Sequence, residues 1–127
     1  MKIPEHIQEV ISSQELHTLS TSSAEGIPNI IYLKFLKVYN DCQILIADNK
    51  FHKTKKNLLE NPRIAFVVYD KDSRKAYQIK GKAEIHTDDN IFSDTVEWVH
   101  SRRPDIDPKS GVVLNVEEIY CGAERIP

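Results

Sequence analysis

Residues 76 to 86, AYQIKGKAEIH, alternate between apolar and polar side chains along their whole length. Tyr77, Ile79, Ala83 and Ile85 fall on one side, and Gln78, Lys80, Lys82, Glu84 and His86 on the other. A period of two is the pattern of a strand with one face in a core and the other towards water or a polar ligand, which suits an antiparallel sheet. Gly81 interrupts the run. A glycine inside a strand marks a bulge or the close approach of another backbone or a ligand.

The remaining segments fit round this strand. RIAFVVYD (63 to 70) is apolar on both alternating faces and reads as a central strand buried on both sides. HTLSTSS (17 to 23) and IIYLKFLKV (30 to 38), joined by the Gly- and Pro-containing AEGIPN, read as a hairpin. YNDC then turns the chain into QILIAD (43 to 48), and VVLNVEEIYC (112 to 121) is the last strand. Helices are few. Residues 4 to 12 place Ile7, Val10 and Ile11 at helical spacing after Pro4. A second helix follows Asp48 or Asn49, turns Leu58 and Leu59 inward and stops at Asn61-Pro62. A third, near 90 to 100, is capped by Asp88 or Asp89, with Ile91, Phe92, Val96 and Val99 inward. Short, hairpin-linked strands with peripheral helices predict a mainly β chain folded as a small antiparallel barrel. At 127 residues, 1 to 127 make one domain.

Composition removes several classes of function. The longest apolar runs fall far short of the roughly 20 residues that span a bilayer. Pro4, Glu5 and Glu9 interrupt the place of a secretory apolar region, so no membrane association and a cytosolic location are expected. Cys42 and Cys121 form no CxxC pair and read as buried, reduced thiols. A net charge of −2 and a pI near 6.2 argue against a nucleic-acid partner. There is no HExxH, GxSxG or phosphate-binding glycine loop, and no Cys/His cluster, so neither a catalytic side chain nor a metal ligand can be assigned. His6, His17, His86 and His100 take surface or core roles.

One stretch departs from the acidic balance. FHKTKKNLLENPR (51 to 63) sets Lys53, Lys55, Lys56 and Arg63 against Glu60 alone. Lys53 and Thr54 fall at the first turn of a helix that follows a strand end, where unpaired N–H groups and the helix dipole favour an anion. Lys53 adds charge and Thr54 a hydroxyl donor, as a terminal phosphate needs. The same residues also read as a solvated helix face, with Lys55 and Lys56 as solvent charges. Charged hydrogen bonds contribute roughly 1.5 to 3 kcal/mol each, whereas micromolar binding needs about −8 kcal/mol. A ligand held there must therefore also bury a flat or apolar body, for which Tyr32, Phe35 and Tyr77 are available. A planar cofactor with a phosphate tail meets both demands.

PNIIYLK (28 to 34), ILIADNKFHKTKKNLLENPRIAF (44 to 66) and YQIKGKAEI (77 to 85) resemble, in order, signature stretches of the pyridoxamine 5′-phosphate oxidase-like, FMN-binding split-barrel proteins. The resemblance implies a six-stranded antiparallel Greek-key split barrel with a few peripheral helices. It also implies a homodimer with two FMN molecules between the subunits. By position, Asn29, Ile30, Ile31, Tyr32, Leu33 and Lys34 match the stretch that lines the flavin ring and ribityl chain. Ala47 and Asp48 match a strand end near the cofactor, and Lys53 with Thr54 match the pair that holds its phosphate. Lys34 and Arg102, the latter in HSRRP (100 to 104), match substrate-binding positions. Two departures stand out. Asn29 replaces an arginine of the oxidase, and no counterpart of its substrate-binding C-terminal segment follows CGAERIP. The chain thus resembles the short, single-domain branch, whose members bind flavin and often have no assigned substrate.

An FMN-dependent oxidoreductase acting on a small-molecule substrate or electron donor is the leading expectation, with the flavin carrying the electrons or hydride. An alternative is a protein that binds FMN, or a related phosphorylated cofactor, as a carrier or electron-transfer partner without its own substrate. A third reading, a basic helix docking an acidic partner or nucleic acid, is disfavoured by the low pI.

Overall fold

The alternating strand is the axis of the fold. In the computed structural model, which describes residues 1–127, it runs as β6 (Lys75–His86) between β5 (Arg63–Asp70) and β7 (Ser110–Cys121), antiparallel to both. β1 (His17–Ser22) and β2 (Pro28–Leu33) extend the sheet beyond β5, and β4 (Gln43–Asp48) and β3 (Leu36–Asn40) extend it beyond β7. The order is β2-β1-β5-β6-β7-β4-β3, with the short β8 (Glu124–Arg125) on β7. Three helices join them: α1 (Glu5–Ser13), α2 (Lys53–Glu60) and α3 (Asn90–Arg102). None of these is long and apolar enough to cross a membrane.

β2 and β3 stand at opposite edges of this order, yet only Lys34 and Phe35 separate them in the chain. So short a link reaches about 10 Å at most. The sheet must therefore curl until its edges meet at that corner, which makes it a barrel split along the β2/β3 seam. Eight strands replace the expected six for two reasons. The stretch 30 to 38 breaks at Lys34-Phe35 because the chain there leaves one edge for the other, and β8 adds a final short pair.

Tyr77, Ile79 and Ala83 of β6 point into the barrel with Ile64, Phe66 and Val68 of β5, and α1 closes one end with Ile7, Val10 and Ile11. Each large apolar side chain buried there contributes about 1.5 to 3 kcal/mol. At Gly81 the β6/β7 register shifts, and a Cβ at this position would lie 2.0 Å from the carbonyl oxygen of Asn115. No side chain fits that approach. The interrupted alternation of the sequence thus corresponds to a bulge with a backbone pressed against it.

Three expectations are corrected. β5 is buried on one face only, since Val67 and Tyr69 are each 49% exposed and no element of this chain covers them. Cys42 is exposed because it sits in the tight turn between β3 and β4, and Cys121 is half-buried; both are free thiols. Leu58 enters the core, but Leu59 is 70% exposed. The buried stripe of α2 is Thr54, Asn57 and Leu58, which share a face at helical spacing, and Leu59 lies one position round from it.

Candidate functional site

The start of α2 is set by the end of β4. Asp48 is buried, and its carboxylate accepts from the backbone N–H of Phe51 at 2.8 Å and from the Ser110 hydroxyl at 3.0 Å. Its own carbonyl accepts from the N–H of Lys109. Ala47, also buried, donates its N–H to the carbonyl of Phe35 at 3.0 Å. The turn from 49 to 52 is thereby pinned at its root. α2 then begins without a side-chain cap at His52 and with no acidic residue in its first turn. Its leading N–H groups and the positive end of its dipole remain available to an anion.

Thr54 is buried on the inner side of this turn. Asn29 donates from Nδ2 to Thr54 Oγ1 at 3.1 Å and to Thr21 Oγ1 at 3.4 Å, and Asn57 donates from Nδ2 to Thr21 Oγ1 at 3.1 Å. These bonds tie β1, β2 and α2 together through amides and hydroxyls. Beside them lies a groove of about 570 Å³ whose lining includes Asn29, Lys53, Lys56, Asn57, Glu25 and Glu60. Neither lysine is paired with a carboxylate.

β2 leads away from this groove as an edge strand, hydrogen-bonded only to β1. Ile31 and Leu33 are half-buried towards the core, while Ile30 and Tyr32 are 68% and 72% exposed on the outer face. From Asn29 to Lys34 the strand covers about 17 Å. At its far end Lys34 and Arg102, remote in sequence, line one cavity of about 470 Å³ with His17, Phe35, Lys37 and Trp98. The Trp98 indole meets the Phe35 ring edge-on at 5.5 Å, and Lys37 Nζ lies 4.6 Å over it. Burial pulls the Lys37 pKa down, Asp94 opposes this and Arg102 reinforces it. His17 is buried with its Nδ1 unpartnered, and burial lowers its pKa, which leaves the ring neutral at pH 7.

The ten carried-over cofactor positions are therefore spread along one path, from Lys53 and Thr54 at the helix start, past Ala47 and Asp48 at its root, along β2 from Asn29 to Lys34. Tyr77 is not on that path: it is buried in the core, edge-on to His6 at 6.1 Å, because it lies on the inner face of β6. Thr21, Asn57, Lys37 and Trp98 were missed in the sequence. Asn57 is three residues beyond Thr54 and Trp98 four before Arg102, so helical spacing from the matched residues was a usable signal for both. Thr21 and Lys37 depend on strand pairing and had none. No group of three or more His, Cys, Asp or Glu side chains is placed to hold a metal ion.

A curled antiparallel sheet, open along one seam and carrying peripheral helices, defines a split-barrel protein. Residues 3–121 match the family model described as pyridoxamine 5′-phosphate oxidase, and the chain belongs to that family. An uncharacterized protein from Methanocaldococcus jannaschii is 36% identical over 118 residues, covering 89% of this chain and 78% of its relative. Among solved structures, HupZ of Group A Streptococcus is 25% identical with a TM-score of 0.83, over 94% of this chain and 93% of that one. An FMN-binding protein from Syntrophomonas wolfei shares the fold at 19% identity and a TM-score of 0.77, over 89% and 81% of the two chains. So does HutZ, the heme storage protein of Vibrio cholerae, at 18% identity and 0.71, over 95% of each.

Proposed function

We propose that the protein is a flavoprotein that holds FMN along β2 and serves as an oxidoreductase for a small-molecule substrate. One observation carries this reading: an exposed edge strand joins an uncapped, carboxylate-free helix start to a cationic cavity walled by aromatic rings. The distance between those ends, about 17 Å, suits a phosphate at one and a flavin ring at the other.

The residues present fit that group. Lys53, the Thr54 hydroxyl and the first N–H groups of α2 hold the phosphate, and Asn29 keeps Thr54 in place through their hydrogen bond. Asp48 and Ala47 fix the turn that presents these donors. The outward N–H and C=O groups of β2, unpaired because the strand is an edge, receive the ribityl chain and ring edge. Bound FMN supplies reversible transfer of electrons or hydride. Lys34 and Arg102 orient an anionic group of the substrate in the cavity beyond.

A second copy of the chain completes the arrangement. Ile30 and Tyr32 of β2 and Val67 and Tyr69 of β5 expose apolar surface on the outer side of the sheet. Pairing these faces makes a homodimer with its flavin sites between the subunits. The protein works in the cytosol, where its two free thiols stay reduced.

The test is a visible spectrum of the purified protein with flavin titrations. FMN should bind more tightly than riboflavin, and Lys53→Ala with Thr54→Ala should weaken FMN far more than riboflavin. A colourless protein that neither quenches FMN fluorescence nor gains thermal stability from it would refute the reading. Bleaching of the bound flavin by NADH or NADPH supports an enzyme; bleaching by no donor supports a carrier.

A further inference from the structure

A phosphate monoester carries close to two negative charges at neutral pH, and on the flavin reading Lys53 provides only one positive charge. Asn29, the nearest strand residue, adds none, and its amide donor is already engaged with Thr54 and Thr21. Lys56 is three residues beyond Lys53 on the same face of α2 and lines the same groove. It pairs with no carboxylate. We propose that Lys56 is the second phosphate cation and that Lys53 and Lys56 together clamp the cofactor's terminal group. This rests on the flavin reading but goes beyond the residues that the family resemblance carries over, among which Lys56 does not appear.

The groove is graded in charge. Glu60, one turn past Lys56, is about 6 Å further along the axis, and its carboxylate accepts from the backbone N–H of Ala24 at 3.3 Å. Glu25 belongs to the same hairpin turn. The carboxylates thus occupy the far end of the groove from the helix start, and repel a phosphate towards the lysines. Lys55 points away from the groove and serves as a control.

The experiment is titration of FMN and of riboflavin against the wild type, Lys56→Ala, Lys56→Arg and Lys55→Ala, read by flavin fluorescence. Lys56→Ala should weaken FMN about tenfold, the value of one charge-assisted contact, and leave riboflavin unchanged. Lys56→Arg should keep the preference for FMN, and Lys55→Ala should resemble the wild type. Riboflavin binding reports that each variant is folded. If the wild type prefers FMN and Lys56→Ala keeps that preference in full, the clamp is overturned while the flavin reading stands. Equal weakening of both flavins also overturns the clamp. A wild type that takes up neither flavin overturns both.

Discussion

The carboxylate of Asp48 accepts a hydrogen bond from the hydroxyl of Ser110 at 3.0 Å inside the barrel, where β4 ends and β7 begins. Its other oxygen holds the N–H of Phe51. One buried side chain therefore connects the sheet to the turn that launches α2. Asp48→Ala leaves a hydroxyl and an N–H without partners and should cost about 3 kcal/mol, given the worth of hydrogen bonds to a charged group. Urea unfolding followed by circular dichroism measures this; a loss below about 1 kcal/mol would contradict the anchoring role. Asp48→Asn, which retains an acceptor oxygen, should cost less.

Gly81→Ala places a methyl group 2.0 Å from the Asn115 carbonyl oxygen, with the Leu114 side chain 3.0 Å away. Backbone cannot yield there without breaking the β6/β7 ladder. The expected loss is about 3 kcal/mol or more, read as a lower thermal midpoint or as insoluble protein. Gly26→Ala is the contrast. Its Cβ would meet nothing within 4 Å, but a φ of +83° makes the change costly by about 1 to 2 kcal/mol.

His17 links stability to pH. Burial holds its pKa below the usual 6.5, so the unfolded chain takes up a proton at a pH where the folded one does not. The contribution of the neutral ring is complete above pH 6.5 and is lost as pH falls towards the folded-state pKa, at no more than about 1.4 kcal/mol per pH unit. Urea midpoints at pH 7.5 and 5.5 should differ more for the wild type than for His17→Leu. Parallel pH profiles for the two proteins would assign the dependence to other groups.

Tyr32 and Val67 lie on neighbouring parts of one outer face, since Thr18 pairs with Tyr32 and its hydroxyl accepts from the N–H of Val67. On the dimer reading, Tyr32→Asp with Val67→Asp puts two charges into an apolar contact. The wild type should elute as a dimer in size-exclusion chromatography with light scattering, and the double variant as a monomer of unchanged circular dichroism. A monomeric wild type would remove the dimer.

Much of the barrel is legible in the chain because strand alternation is a local property. β6 and α1 could be read directly: Tyr77, Ile79 and Ala83, and Ile7, Val10 and Ile11, all fall on the buried sides that their spacing implies. The break at Lys34-Phe35 was not legible, because it is imposed by the meeting of two edges that pair with distant strands. The one-sided burial of β5 was hidden for a related reason. An apolar outer face at Val67 and Tyr69 spells the same sequence whether a helix, another subunit or water covers it. At the candidate site, the cationic start of α2 was readable from FHKTKK alone, but the Asn29, Thr21 and Asn57 contacts that position Thr54 need the fold.

The two-residue bridge at Lys34-Phe35 has a mechanical meaning. It is the covalent hinge between the facing edges β2 and β3, along which no ladder of backbone bonds runs. Every other junction between neighbouring strands of the barrel is zipped, so breathing of the wall concentrates at this seam. Lys34 stands at its pivot and also lines the Trp98 cavity. Widening the seam and reshaping that cavity are consequently one motion, and a molecule wedged against Lys34 stiffens the whole barrel.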